Sequence, residues 1–430
     1  MGVFLGILGI LVVAVMFPVA SANPGDYRLA DSAASTFRLD GIGDDGLKGT
    51  RAVVTETQPQ NKLLSEVGGK NTSTDKVWKS QELDMLATGL GIGDMDGDGQ
   101  NEVAVIDPHA VYVYRVSTGK MSLIAEYSAG SLELKSIDVA NLRKQGPARL
   151  YITAQNRGAL ASFVLEYRNG TLIPVVKNCD YFLRVINYPT QGPILLGQKK
   201  GVRKMFDGPV YRLTDKGDEL VVDGRFGIPL KIPILGFAIG DFEGKRLPLI
   251  AVYDRNDHLR IYRPDGTKLY VSKGFYGGSD IILRWAGPEL QVGGDKHRTD
   301  DEKEDVYFRP RLMALNLEGQ SIQEIIAISH SSKTMRLLSR TKMLEEGQVL
   351  GLIWNGDTLE EKWSTPKLEG TITDFAVDKL PGLSGTRLIT LERKKTDWLA
   401  FLRSKSQLRA YDLPSLMKEG IEGGRRSPMD

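Results

Sequence analysis

The sequence predicts an all-β fold, a β-propeller built from four-stranded antiparallel blades, with six or seven blades. Three observations predict it. A Tyr-Arg pair recurs at the end of β-rich runs, an Asp or Asn recurs at the end of apolar runs, and no segment between them shows sustained helical periodicity. Both landmarks recur after roughly 50 residues, a period that is typical of one propeller blade of four strands.

The first landmark lies before a tight turn. Each copy reads as an alternating β-rich run, a Tyr-Arg pair, a turn that contains glycine, and a second β-rich run. Asn169-Gly170 and Asp265-Gly266 are favourable hairpin turns because glycine accepts the positive φ that such turns require. The copies are Tyr114-Arg115, Tyr167-Arg168, Tyr211-Arg212 and Tyr262-Arg263, and Trp354 takes the place of tyrosine in a fifth copy.

The second landmark opens each unit. An apolar run ends in Asp or Asn, and a short polar loop and a second apolar strand follow. Radial stacking buries both faces of a blade, which explains why these strands read as continuous apolar runs. The six copies predict six blades, or seven if residues 27–75 contribute another. They are Asp94, Asn141, Asn187, Asp241, Asn316 and Asp378.

The ends of the repeat array predict how the ring closes. The segment 76–85, KVWKSQELDM, reads as a strand but precedes the first landmark. We expect Val77 to Leu83 to complete the last blade, since this leaves no sheet edge open. The propeller is therefore assigned to residues 76–415, and the polar segment 416–430 is expected to be a flexible tail.

The N-terminal segment predicts a location outside the cytoplasm. Residues 1–22 carry no charge and end in Ala20-Ser21-Ala22, as in a secretory signal peptide. The run lacks a basic start and is nearly long enough to span a bilayer, so an uncleaved membrane anchor is the alternative. Residues 23–75 are assigned to an extension or linker. The protein is expected to be periplasmic, on the cell surface or secreted.

Composition excludes several classes of function. The 430 residues include 41% hydrophobic and 26% charged residues, an ordinary soluble balance. A net charge of +2 gives no electrostatic indication of nucleic-acid binding. The single cysteine, Cys179, cannot form an internal disulfide and is interpreted as a packing residue. The four histidines show no metal-like spacing, and the charged segment Gly293–Asp305 is interpreted as a solvated insertion.

One stretch indicates a metal. In DMDGDGQNE, oxygen ligands recur at every second position, and glycines permit a sharp turn. Hard oxygen ligands in this number suit Ca²⁺. An EF-hand is excluded because its twelfth position would be Val105, inside a strand; an acidic turn without an ion is the alternative. The predicted ligands are the side chains of Asp94, Asp96, Asp98 and Glu102 and the carbonyl group of Gln100.

The stretch GIGDMDGDGQNEVAVI resembles the FG-GAP or VCBS repeat of integrin-type β-propellers. Segments 139–153 and 238–252 are degenerate copies, and the resemblance extends over residues 76 to 413. It implies a structural Ca²⁺ that braces the loop between the first two strands of a blade, while other loops bind partners. Asp241 with Glu243 is a candidate for a weak second ion site.

The function predicted from these patterns is a binding or scaffolding module for a protein or glycan partner outside the cytoplasm. Contact with the membrane would occur only through an uncleaved N-terminal segment. The alternatives are a calcium-dependent hydrolase or lyase with its site on the blade loops, and a purely structural component. Tyr188 and Tyr276 are candidate anchors for a partner, unless both pack beneath neighbouring strands.

Overall fold

The computed structural model describes residues 77–117, 119–143, 145–189, 191–201, 204–228, 232–284, 306–317, 322–331, 344–394 and 405–422. All of them belong to one compact unit, Gly69–Asp430. The predicted signal segment 1–22 and the extension 23–75 lie outside the described residues, and so does the charged insertion Gly293–Asp305.

The first strand along the described chain, β1 (Val77–Lys79), belongs to the last blade. The next three blades then follow one another, each with its antiparallel strands in chain order. Blade 1 contains β2 (Gly89–Gly93), β3 (Glu102–Ile106), β4 (Ala110–Ser117) and β5 (Lys120–Ser128). Blade 2 contains β6 (Glu133–Ala140), β7 (Arg149–Asn156), the short β8 (Ala159–Leu160), β9 (Ser162–Arg168) and β10 (Thr171–Cys179). Blade 3 contains β11 (Tyr181–Tyr188), β12 (Gly192–Lys199), β13 (Val210–Asp215) and β14 (Leu220–Arg225).

The remaining blades have the same antiparallel order. Blade 4 contains β15 (Phe237–Gly240), β16 (Leu249–Tyr253), β17 (Leu259–Tyr262) and β18 (Lys268–Val271), and a ribbon of β19 (Ile282–Leu283) and β20 (Val306–Tyr307) follows. Blade 5 contains β21 (Leu312–Leu315), β22 (Glu324–Ser331), β23 (Glu346–Trp354), β24 (Leu359–Ser364) and the short β25 (Leu368–Glu369). Blade 6 contains β26 (Thr371–Asp378), β27 (Arg387–Arg393) and β28 (Ser406–Asp412), with β1 as its outer strand. The predicted propeller is confirmed, and the described residues form six blades.

The two sequence landmarks mark fixed places in a blade. Each landmark Asp or Asn lies within or directly after the first strand, as Asp94 follows β2 and Asp378 ends β26. The Tyr-Arg pairs lie within or at the end of the third strand, as Tyr114 and Arg115 lie in β4. First strands of neighbouring blades lie beside one another around a central cavity.

The apolar runs are continuous because both faces of each blade are covered. In β22, Ile325 and Ala327 pack towards blade 4, while Ile326 and Ile328 pack towards blade 6. Successive residues of the strand therefore face opposite sides of the blade, as in any β-strand. The sequence shows no alternation because both sides are buried and both require apolar residues. Six clusters of buried apolar side chains result among the described residues, one between each pair of neighbouring blades.

The ring closes as the sequence predicts. Strand β1 pairs antiparallel with β28, with Val77 opposite Tyr411, and an isolated bridge joins Leu83 to Ser406. Trp78 is buried and donates a hydrogen bond from Nε1 to the Gly119 carbonyl of blade 1 at 2.9 Å. The N-terminal strand therefore completes blade 6 and also attaches it to blade 1.

The C-terminal boundary of the packed region differs from the prediction. A helix, α1 (Leu413–Glu422), follows β28 and packs against β24. Leu416 and Met417 are buried in the core between blades 5 and 6, so the flexible tail does not begin at residue 416. The polar composition of the tail as a whole hid this short amphipathic segment. No helix among the described residues combines the length and the apolar character needed to cross a membrane.

Candidate metal centre

The acidic loop, Asp94–Glu102, leads from β2 to β3 in blade 1. Gly93 pairs with Glu102, so the loop leaves and re-enters the sheet at adjacent positions. Gly97 and Gly99 have φ values of 82° and 85°, a left-handed conformation that other residues adopt at a cost. The two glycines therefore allow the chain to turn sharply between its acidic residues.

The aspartates shape the loop through hydrogen bonds to its backbone. The Asp94 carboxylate accepts bonds from the N–H groups of Gly97 at 2.6 Å and Gly99 at 3.0 Å. Asp96 and Asp98 each accept a bond from the N–H group two residues farther along, at 3.0 and 2.7 Å. A carboxylate offers about four lone-pair sites, so each aspartate retains acceptor capacity beyond these bonds.

Three of the predicted ligands converge. Asp94, Asp96 and Glu102 each place one carboxylate oxygen within 4.8 Å of the others. Glu102 is 1% exposed, and its Oε2 accepts the N–H groups of Met95 at 2.9 Å and Asp96 at 3.3 Å. Its other oxygen, Oε1, is buried without a hydrogen-bond partner. A buried carboxylate oxygen without a donor is costly, and a bound cation would relieve that cost.

The electrostatics of the loop also favour a cation. Burial raises the pKa of Glu102 above its ordinary value, and the nearby Asp96 and Asp98 carboxylates raise it further. The backbone N–H groups of Met95 and Asp96 only partly oppose these effects. The site therefore has too little positive charge for the three carboxylates that it gathers.

Arg115 supplies part of that charge, and no sequence pattern predicts its place in the site. It extends from β4, pairs with Asp96, and brings its Nε to 3.8 Å from Glu102 Oε1. Its side chain is 43% exposed, so it is free to move aside for an ion. Arg115 belongs to the first Tyr-Arg landmark, and the pairing of β4 with β3 brings it to the acidic loop.

Asp98 and Gln100 occupy a different position from the converging carboxylates. Both residues are exposed, and Asp98 is not part of the group formed by Asp94, Asp96 and Glu102. Calcium takes six to eight oxygen ligands, so three carboxylates leave places for backbone carbonyl groups and water. The residues present fit a Ca²⁺ site centred on Glu102.

The acidic loop also connects the two blades at the closure of the ring. Asn101 donates from Nδ2 to Asp378 Oδ1 at 3.0 Å and to the Lys379 carbonyl at 2.9 Å. Burial raises the pKa of Asp378, and the hydrogen bond from Asn101 opposes this rise. Order in the acidic loop is thereby linked to the first strand of blade 6.

The loop between the first and second strands of blade 4 makes a similar turn, but it lacks the three converging carboxylates of the acidic loop. Asp241 accepts bonds from the N–H groups of Lys245 at 3.1 Å and Arg246 at 2.7 Å. Glu243 pairs with Lys245 at 2.9 Å and accepts a bond from Trp354 Nε1 at 3.3 Å. Among the described residues, no third acidic group joins Asp241 and Glu243, and a lysine already balances Glu243.

The two tyrosines proposed as anchors are packing residues. Tyr188 contacts Phe226 edge to face at 6.0 Å and packs on the core between blades 3 and 4. Tyr276 packs on the core between blades 4 and 5, and burial raises its pKa to about 12. Large exposed apolar side chains occur at other positions, including Leu247 and Phe275. The sequence does not separate exposed from packed rings, since Phe275 and Tyr276 are adjacent in one loop and only tertiary packing decides which of them turns inward.

Cys179 fits its predicted packing role. It ends β10, is half-buried, and packs on the core between blades 2 and 3. Burial raises the pKa of its thiol to about 11, which disfavours the reactive thiolate.

Comparison with known proteins gives similarity at the level of structure alone. No protein-family model and no curated protein matches the chain. It is similar to a chain in the crystal structure of BBS1N in complex with ARL6DN, with 11% identity, a TM-score of 0.40, and coverage of 79% of this chain and 98% of that chain. It is also similar to the Dos1 propeller, with 11% identity, a TM-score of 0.33, and coverage of 75% and 68%. The exotype rhamnogalacturonan lyase YesX gives 10% identity, a TM-score of 0.37, and coverage of 78% and 76%. These likenesses are distant, and the fold is established by the strand pairing of the chain itself.

Proposed function

We propose that this chain is a calcium-stabilised β-propeller that binds a protein or glycan partner outside the cytoplasm. The observation that carries the calcium assignment is the buried Glu102, whose Oε1 has no hydrogen-bond partner and whose carboxylate lies beside Asp94 and Asp96. Ca²⁺ would supply positive charge to these three carboxylates and hold the acidic loop in one conformation.

The role of the ion is structural. The acidic loop is bonded through Asn101 to Asp378, where blades 1 and 6 meet. An ion that orders the loop would therefore strengthen the closure of the ring, and no reacting group is needed at the site. Extracellular modules bind Ca²⁺ with dissociation constants of roughly 10⁻⁴–10⁻³ M, which suits a location where Ca²⁺ is abundant.

The calcium assignment is tested by thermal unfolding of chelated protein to which Ca²⁺ or Mg²⁺ is added. A hundredfold excess of Ca²⁺ over its dissociation constant is expected to stabilise the fold by about 2.7 kcal/mol. Glu102→Gln is expected to abolish this stabilisation. In chelator the same variant should be at least as stable as the wild type, because it removes a buried carboxylate that lacks a partner.

Asp241→Asn is the matched control, since Asp241 occupies the corresponding loop of blade 4. It is expected to keep the full calcium effect. A wild-type melting curve that is the same with and without Ca²⁺ would refute the metal site.

The extracytoplasmic location is supported by the uncharged segment Met1–Ala22. Cell fractionation and intact mass measurement test it. A chain that begins at Asn23 in the extracytoplasmic fraction is the expected result, while a full-length chain in the membrane fraction would favour the anchor. A cytoplasmic chain would contradict this part of the proposal.

The proposed partner surface is the loop face, which consists of the loops between the first and second strands of the blades. Polar side chains of these loops and strand ends line the opening of the central cavity, including Asp94, Asn141, Asn187 and Asp378. Leu247, in the corresponding loop of blade 4, is 64% exposed. Exposed apolar groups surrounded by polar ones are typical of interaction sites.

The loop face is tested with Leu247→Ser and the control Phe275→Ser. Phe275 is 42% exposed and follows β18, at the opposite end of blade 4. Crosslinking in intact source cells, followed by quantitative mass spectrometry, should recover the same partner with the wild type and with Phe275→Ser, and much less with Leu247→Ser. Equal recovery with both variants would exclude Leu247 as an anchor.

A further inference from the structure

The six first strands enclose a central cavity that the acidic loop does not account for. Its volume is about 370 Å³, within the range of roughly 300–1,000 Å³ that is common for small-ligand sites. It opens among the polar ends of the first strands, and side chains from all six blades line it. Three buried charged residues line the cavity, Asp138, Arg184 and Arg311, and Arg311 is paired with a fourth, Asp374, which is not a lining residue. These four side chains are named here the central cluster: Asp138, Arg184, Arg311 and Asp374.

Arg311 in the central cluster is fully engaged. Its Nε and Nη2 donate to Asp374 at 2.7 and 2.9 Å, and its Nη1 donates to Asp138 at 2.6 Å. Its Nη2 also donates to the carbonyl groups of Leu90 and Ile137 at 3.0 and 2.9 Å. This guanidinium therefore holds together strands from different blades.

The aspartates of the central cluster are also satisfied. Besides Arg311, Asp138 accepts the N–H group of Val185 at 2.9 Å, and Asp374 accepts the N–H group of Leu90 at 3.0 Å. Both carboxylates are buried. Both carboxylates therefore have short hydrogen bonds from Arg311 and from backbone N–H groups, none of which involves Arg184.

Arg184 is the exception. Its side chain is 3% exposed, and its one hydrogen bond in the described structure runs from Nη1 to Asp138 Oδ1 at 3.3 Å, an oxygen that Arg311 already occupies. Its Nε is buried with no acceptor. Burial lowers the pKa of Arg184, and the neighbouring Arg311 lowers it further. Burying a guanidinium with an unpaired N–H group costs free energy of folding, and an anion that accepts from that group would reduce this cost.

We propose that the central cavity binds a small organic carboxylate that carries one negative charge and an apolar body, with its carboxylate on Arg184. A guanidinium is suited to this because it donates two parallel hydrogen bonds to a carboxylate. The wall between the central cluster and the opening contains apolar residues, including Ile92, Val139, Ile186 and Ile239, among its polar groups. Asp94 and Asp378 at the opening would repel an anion of higher charge.

The experiment is calorimetric titration of the full chain, in excess Ca²⁺, with hexanoate and with its neutral analogue hexanamide. Hexanoate is expected to bind at least tenfold more tightly than hexanamide, since only the carboxylate completes Arg184. Arg184→Met should reduce hexanoate binding at least tenfold. Arg212→Met changes a half-exposed arginine on β13 of the same blade and should leave hexanoate binding unchanged. Equal affinity for hexanoate and hexanamide, or unchanged binding by Arg184→Met, would overturn the proposal.

A second variant covers the case in which Arg184→Met fails to fold. Asn187 is exposed and lines the opening of the cavity, so Asn187→Trp should obstruct entry without disturbing the central cluster. Hexanoate binding is expected to fall at least tenfold, with an unchanged melting temperature. Unchanged binding by this variant would overturn the proposal as well. The calcium site shares Asp94 with the opening of the cavity, but Arg184 and Asn187 are not proposed calcium ligands, so failure of either variant test is distinguishable from failure of the calcium assignment.

Discussion

The acidic loop and the central cluster are two charged regions that the molecule builds in opposite ways. In the acidic loop, Glu102 and its hydrogen-bond partner Met95 are 7 residues apart in one blade. In the central cluster, Arg311 and Asp138 are 173 residues apart and meet only because the ring closes. Each region nevertheless leaves one buried polar atom unpaired, Oε1 of Glu102 and Nε of Arg184.

The difference lies in how each region balances its charge. The acidic loop gathers carboxylates with the half-exposed Arg115 as their counterion, which is why we propose that it takes a cation from solution. In the central cluster the protein supplies counterions from distant blades: Arg311 is bonded to both aspartates, and only Arg184 lacks a full set of acceptors. We therefore expect the acidic loop to respond to cations in the medium, and Arg311 with its two aspartates to be a fixed part of the fold.

The largest expected effect comes from breaking the central cluster with Arg311→Met. This variant leaves Asp138 and Asp374 buried without their main counterion, and such losses cost about 3–5 kcal/mol. Denaturant unfolding measures the change. Adding Asp374→Asn to Arg311→Met should recover part of the loss, because it removes one of the uncompensated charges.

Arg212→Met is the control for loss of an arginine, and it should change the free energy of unfolding by no more than about 0.5 kcal/mol. A loss below about 1 kcal/mol for Arg311→Met would show that the cluster is not a structural centre of the ring.

The fold could be predicted from the sequence because the blade is a local unit. The landmark residues recur where each first strand ends, and the register of each hairpin depends on a turn of a few residues. The strand at Val77 can be assigned from the sequence because it precedes the first landmark and reads as an outer strand, which the last blade needs to close the ring. Helix α1 was missed because Leu416 and Met417 lie within an otherwise polar segment, and only their contact with blades 5 and 6 shows their role.

The candidate site could be predicted only in part. The acidic loop carries its pattern in consecutive residues, so Asp94, Asp96 and Glu102 were identified from spacing. Arg115 joins them through strand pairing, which a linear pattern does not contain. Arg184 could not be recognised at all, because "LRVIN" differs little from any other apolar strand and its partners lie in other blades.

His330 sharpens the comparison, since it is another buried ionisable group whose partners are distant in the chain. Its Nδ1 donates to the Gly277 carbonyl at 2.9 Å, and its Nε2 accepts the Ile372 N–H group at 3.1 Å, so the ring is neutral. Burial lowers the pKa of His330 below 6.5. As the pH falls, this histidine is therefore protonated in the unfolded chain before it is protonated in the folded chain. The part of the free energy of unfolding that depends on neutral His330 is complete above about pH 6.5. It is lost as the pH falls further, by at most about 1.4 kcal/mol per pH unit.

The pH effect is measured by denaturant unfolding between pH 7.5 and about pH 5, with His330→Gln as the matched variant. Glutamine retains a donor and an acceptor but does not titrate in this range. The dependence of the free energy of unfolding on pH should therefore be shallower in this variant, by the equivalent of up to one bound proton. Identical slopes for the two proteins would assign the acid sensitivity to other groups.

The smallest expected effect separates two aspartates within the acidic loop. Asp98 is exposed and lies outside the converging carboxylates, whereas Asp96 lies among them. Asp98→Asn keeps the side-chain oxygen that accepts the Gln100 N–H group, so the turn is preserved and only a charge outside the converging group is lost. Calcium titration monitored by melting temperature should show a loss of affinity of less than about threefold for Asp98→Asn. Asp96→Asn should lose at least tenfold, because it removes a charge from the group itself. Equal losses would mean that the ion lies nearer the tip of the loop, where the spacing of the sequence had placed Asp98 among its ligands.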